Sequence, residues 1–308
     1  MTDDFPEMPD FDPKLTKKAV RRGVLRTAAI VLAVLALLAV AVTGGSHLVQ
    51  TRGDREQRMA AVLGTAFKMY SPAYRVSLGT CCQTTPTSMF MEVTAAPLRP
   101  VGAEWPVGAN RYTIEQNLFG RVGHLPLGST ANTRLSQSLY DVGTSLARKD
   151  AVRKVLARLP GDLTALAVVE FAEPLPEAEL KAFITTHNTC VERVSYERRP
   201  GSLSITWGSD FWSDGLSPDQ ARKMMEMDGC HGGLPEFRAW VGQLRDHDEA
   251  NLRSFTLSLD RLRKAAGDGL AYAYVDQLSS VEKLRKVLED PRVRTIRLAD
   301  VAFNLDKP

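Results

Sequence analysis

Two short patterns bring metal-ligating side chains together in this chain, His187-x-x-Cys190 and Cys230-His231. Two cysteines and two histidines are an acceptable zinc set in type. Adjacent Cys230 and His231 chelate one ion poorly, and no Cys-x-x-Cys pair accompanies them. No metal ligands are therefore expected. Nucleophilic catalysis has less to build on. The chain lacks Gly-x-Ser-x-Gly, Ser-x-x-Lys and His-Glu-x-x-His. His47, His124, His187, His231 and His247 stand in unrelated contexts. Gly232-Gly233 and the Gly-Asp-Gly at 267–269 read as turns, since neither completes a phosphate-binding loop. Asp246, Asp248 and Glu249 lack the calcium-loop pattern and read as a solvated helix end. The expectation is a protein that is not an enzyme and holds no cofactor.

Cys81, Cys82, Cys190 and Cys230 are disulfide candidates. Because Cys81 and Cys82 are neighbours, each is expected to pair elsewhere, with Cys190 and Cys230 as the available partners. A staple between the two halves of the chain is the favoured arrangement, although sequence leaves all three connectivities open. Trp207, Phe211 and Trp212 lie close together beside glycines. Exposed, they could bind a glycan or a peptide; buried, they are core, and burial is the favoured reading.

The elements that must position these residues begin with a membrane segment. Residues 27–51 contain no Asp, Glu, Lys or Arg, and Lys14, Lys17, Lys18, Arg21, Arg22 and Arg26 precede them. About 20 apolar residues cross about 30 Å of hydrocarbon, and residues 24–45 supply them. A small-x-small site at 39–41 and paired arginines at 21–22 also fit an export signal. The length of the run, and its start far from Met1, favour a retained anchor. The six preceding basic residues place the N-terminus in the cytoplasm and the main body outside. With 39 basic and 36 acidic residues and a net charge of +3, no direct nucleic-acid binding is expected.

The remaining chain, about 255 residues, can bury one large or two modest cores. Residues 1–23 read as a disordered cytoplasmic tail. Residues 52–72 form a juxtamembrane helix, with Met59, Val62, Leu63, Ala66, Phe67 and Tyr70 on one face. Residues 73–130 read as a β-rich module with strands at 74–78, 88–95 and 112–122. Residues 131–160 are a helical connector. Residues 161–308 form an α/β domain with two strand–helix–strand units, 163–197 and 270–298, around an insertion. The predicted class is α+β, with one transmembrane helix, a small β-rich module and a ferredoxin-like split βαβ domain.

This layout resembles the bacterial sigma factor regulator family. The likeness rests on KKAVRRGVLRTAAIVLAVLALL, on ANRYTIEQNLFGRV at 109–122, and on LTALAVVEFAEPLPEAEL at 163–180. Membrane-bound members of that family are anti-sigma factors. The resemblance implies an extracytoplasmic domain that senses envelope conditions and a cytoplasmic part that controls an extracytoplasmic-function sigma factor. With only 1–26 inside, the partner is expected to be a sigma factor or a small membrane co-regulator. It would be bound by a segment that orders on contact, with Phe5, Met8 and Phe11 as anchors. The alternative is a membrane-anchored or secreted envelope protein binding glycan or peptide near Trp212.

Overall fold

The computed structural model describes residues 13–51, 54–79, 81–100, 109–127, 132–208, 211 and 232–303. Helix α1 (Pro13–Thr51) contains the apolar span Val20–Ser46, 27 residues with none of its most apolar stretch buried. At 1.5 Å per residue the span is about 40 Å long, enough to cross a bilayer. It is the one helix among the described residues that is long and apolar enough. Thr27 and Thr43 donate their hydroxyls to the carbonyls of Gly23 (3.1 Å) and Ala39 (2.7 Å), so both hydroxyls are satisfied within the helix.

The expected juxtamembrane helix runs as α2 (Arg55–Arg58), a π-helical stretch (Met59–Gly64) and α3 (Thr65–Tyr70). Met59, Val62, Leu63, Ala66 and Phe67 are buried, as their spacing requires. They join one apolar cluster with Met89, Met91 and Ile114 on one side and Trp207, Trp240 and Phe255 on the other. The first group belongs to a small antiparallel sheet of β1 (Tyr74–Leu78), β2 (Gln83–Thr84), β3 (Ser88–Pro97) and β4 (Asn110–Asn117). All of its other strands pair with β3. β4 stops at Asn117 and does not run to Val122. Gly120 adopts a φ of +74°, and the Asn117 Oδ1 accepts the N–H groups of Phe119 and Arg121, both at 3.0 Å. That side chain turns the backbone by taking two of its donors.

The helical connector is two helices, α4 (Arg134–Tyr140) and α5 (Lys149–Arg158). Between them Gly143 sits at φ +90°, which L side chains rarely adopt. A Cβ there would also lie 2.7 Å from Arg198 Cγ. Apolar periodicity alone carried the expected helix through this break.

The larger sheet contains β5 (Thr164–Leu175), β6 (Val191–Ser195), β7 (Thr206–Gly208), β8 (Ala271–Asp276) and β9 (Val293–Ala302). Its order is β7-β6-β8-β5-β9, antiparallel throughout. Helix α6 (Glu177–His187) connects β5 to β6. Helix α10 (Val281–Glu289) connects β8 to β9 and starts on a Ser280 cap. The inserted segment carries α7 (Leu234–Gly242), α8 (Glu249–Leu252) and α9 (Leu259–Asp268).

β5 is covered on both faces, so it reads as a continuous apolar run. Ala165, Ala167, Val169 and Phe171 face one cluster; Leu166 and Val168 face another with Leu135, Leu139 and Val142. Glu170 falls on that second face and is fully buried. Arg294 Nη1 meets its Oε1 at 2.6 Å, Arg297 pairs with its other oxygen, and the Gly143 N–H donates to Oε1 at 3.1 Å. Removing one partner of a buried pair strands the other. Glu170→Ala should lower the stability of the full chain in detergent by about 3 kcal/mol, read as a lower urea midpoint with an unchanged slope.

Candidate functional site

A groove lies beside the helices that follow α1, where they meet the small sheet and the insertion. It has a volume of about 470 Å³, and its lining includes Arg55, Arg58, Gln116, Phe119, Arg121 and Asp248. Its floor is the juxtamembrane helix, held on two sides by arginines one helical turn apart. Arg55 donates from Nε to Gln116 Oε1 at 3.0 Å, and from Nη1 and Nη2 to the carbonyls of Leu118 (3.3 Å) and Asn117 (2.5 Å). Burial draws its pKa down, yet a guanidinium stays charged at neutral pH. Arg58 pairs with Asp248, whose side chain is 7% exposed. Asp248 also accepts the Arg245 N–H at 2.7 Å, and Arg245 reaches Asp54 at 3.1 Å.

The π-helical stretch is held from the insertion: Trp240 donates its indole N–H to the Ala61 carbonyl at 2.8 Å. A side chain bonded into the helix ladder is one physical origin of such widening, and π-turns recur where helices do functional work. Further along, buried Lys68 donates to the Phe211 carbonyl at 3.1 Å.

The sequence-predicted residues distribute differently from expectation. Cys81 and Cys82 form a disulfide with each other, which overturns their expected pairing with the distant cysteines and the staple between halves. A trans peptide holds neighbouring Cα atoms about 3.8 Å apart; here the peptide is cis and the Cα atoms are 3.0 Å apart. Both sulfurs face the Glu56 carbonyl, at 3.6 and 3.9 Å. A disulfide sulfur carries no proton, so these are packing contacts against the juxtamembrane helix. Cys190 is half-buried and disulfide-bonded. Phe5, Met8, Phe11, Trp212, Cys230 and His231 lie outside the described residues.

Trp207 and Phe211 are buried and meet edge-on with ring centroids 5.7 Å apart. Asp246 pairs with Arg263 at 3.2 Å and Glu249 with Arg253 at 2.9 Å. The acidic cluster is therefore divided among separate cations. His187 is engaged by Asp290, Nε2 to Oδ2 at 2.8 Å, and no group of three candidate metal ligands occurs among the described residues. A buried polar cluster at Asp276 serves a turn. Asp276 accepts the hydroxyls of Thr189 and Ser279, both at 2.6 Å, and the N–H groups of Leu278 (3.1 Å) and Ser279 (2.8 Å). That uses its acceptor capacity. Burial, with Asp276 nearby, holds the Tyr274 phenol well above its usual range, so it stays protonated.

Sequence reading missed the arginine pair and the 117–121 turn. Neither Arg55 nor Arg58 belongs to a sequence pattern that marks its partners. The Asn-x-x-Gly spacing at 117–120 was the available signal for the turn. Comparison of the chain with family models, curated proteins and solved structures finds no match.

Two outcomes follow from this geometry. Arg58→Ala leaves Asp248 buried without its cation and should cost about 3 kcal/mol. The loss should appear as faster amide exchange over 55–64 while the exchange of β5 is unchanged. Asp290 is held below the usual carboxylate range, first by Arg292 and then by His187. A depressed folded pKa stabilises above the unfolded value, about 4, and is lost as pH falls through the folded value. Asp290→Asn should therefore be less stable than the parent at pH 7 by about 1–2 kcal/mol. The gap should close in urea titrations as the pH falls below about 4.

Proposed function

We propose that the chain is a single-pass membrane regulator. In this reading α1 crosses the bilayer with its basic N-terminal end in the cytoplasm and the folded body outside. The body senses an envelope condition, and the short tail controls an extracytoplasmic-function sigma factor, directly or through a small membrane co-regulator. The role is signal transduction feeding transcription regulation, with no chemistry and no nucleic-acid contact of its own.

One observation carries this reading. The apolar span leads, within a few residues, into a helix that shares one core with both sheets and is clamped by Arg55 and Arg58. A mere tether needs no such integration. The basic residues from Lys14 to Arg26 support the orientation. The resemblance to sigma factor regulators supplies the regulated partner. We also read the larger sheet as a ferredoxin-like split βαβ unit. Its four principal strands follow the order β6-β8-β5-β9, each joined helix crosses over one strand, and β7 adds an edge. The envelope-binding alternative loses support because Trp207 and Phe211 are buried.

The test is a pull-down from membranes with the full-length chain and with residues 1–13 deleted. Capture of a sigma factor or small membrane protein, lost on deletion, is the expected result. Equal capture by both, together with an unchanged sigma regulon when the gene is removed, would overturn the proposal.

A further inference from the structure

Phe119 is the most exposed large apolar residue of the described chain, at 89%, including those of the lipid-facing helix. It is not on a loose loop. The Leu118 N–H donates to the Thr87 carbonyl at 3.0 Å. The Gly120 carbonyl accepts the amides of Gln116 and Asn251, both at 2.8 Å. The Val122 N–H donates to Asn251 Oδ1 at 3.1 Å. Every residue around Phe119 is tied down while its ring is held in the open.

Its height along α1 is set by a second turn. Ser46, the last residue of the apolar span, donates its hydroxyl to the Pro86 carbonyl. Pro86 and Thr87 are exposed and sit beside the 117–121 turn through the Leu118–Thr87 bond. Phe119 therefore lies at the level where the apolar span ends, the plane of the headgroups. Amphipathic and aromatic groups concentrate at that plane. Behind it is the groove, where three guanidiniums (Arg55, Arg58, Arg121) face two carboxylates (Asp54, Asp248), with His247 at the rim. Asp248 is taken by Arg58 and Asp54 by Arg245. Arg121 is exposed and has no ion pair among the described residues. An apolar ring beside a net positive groove matches an acyl chain beside an anionic headgroup.

We propose that the 117–121 turn and this groove bind the headgroup of an anionic phospholipid in the leaflet adjoining the body, with Phe119 inserted at the acyl boundary and Arg121 at the phosphate. The inference rests on α1 crossing the membrane, and it is independent of any sigma factor.

The test places the full-length chain carrying Phe119→Trp in nanodiscs of acyl-brominated phosphatidylcholine, alone or mixed equally with phosphatidylglycerol. The parent chain supplies the background emission. Co-elution with the disc reports on α1, and quenching of the added emission reports on the turn. The added emission should lose at least half its intensity in the mixed discs. The phosphatidylglycerol fraction giving half-maximal quenching should rise about fivefold when Arg121→Ala is added, as expected for removing one cation from an anionic surface. Soluble glycerol phosphate should not compete. A chain that co-elutes without quenching, or that is quenched equally in both discs, overturns the site. Competition by glycerol phosphate identifies a free anion as the ligand and overturns the lipid assignment.

Discussion

Burial of one face of the juxtamembrane helix is the constraint on which the rest depends. Met59, Val62, Leu63, Ala66 and Phe67 recur at helical spacing and share one apolar cluster with the small sheet and with Trp240 and Phe255 of the insertion. Each large side chain contributes about 1.5–3 kcal/mol on burial. A buried ion pair such as Arg58–Asp248 largely offsets its own desolvation, so the apolar face, not the arginines, holds the helix in place. The arginines decide its register. Arg55 accepts only a position opposite Gln116 and the turn carbonyls, and Arg58 only one opposite Asp248. The helix is thus common property of the small sheet and the insertion, and the two cannot be described as separately assembled.

The larger sheet answers the same logic at a higher electrostatic cost. Because side chains alternate along β5, a strand covered on both faces has no solvent side on which to place a charge. Glu170 must be neutralised where it stands, and β9 does this from the neighbouring strand. Thr295 lies opposite Glu170, and Arg294 and Arg297 flank that position. A slip of one residue would turn those side chains to the other face and leave the carboxylate buried and unpaired. Replacing such pairs by apolar residues is often neutral for stability. What the cluster contributes here is a single permitted pairing of β5 with β9.

The legible part of the fold was local. The run at Leu163–Phe171, the Ser280 cap and the apolar face of 59–70 each declare themselves within a dozen residues. What escaped was either a local exception to a period or a meeting of distant residues. Gly143 interrupts an otherwise helical spacing, and Asn117 turns a strand that β-branched content would have continued. The Cys81–Cys82 bond defies the usual spacing of neighbouring residues. The clamp joins Arg58 to a partner 190 positions away, and two of Arg55's three partners are backbone carbonyls, which no side-chain pattern marks. His187 stands three residues before a cysteine in sequence; its partner in space is Asp290.

These contacts also limit how motion can pass along the chain. Ser46, near the end of α1, is bonded to the 85–88 turn, and Arg55, at the start of the next helix, is bonded to the 117–121 turn. The two turns are bonded to each other through Leu118 and Thr87. The small sheet thus bridges the connection between α1 and the body from outside it. A free swivel at that connection would break both anchors at once. Rotation or tilt of α1 must therefore either carry the small sheet with it or begin by releasing one turn. The 117–121 turn is the one that bears Phe119. Under the lipid proposal, a headgroup bound there would act on the same two anchors that fix α1, and any coupling of its occupancy to the setting of α1 is reciprocal and equal in free energy.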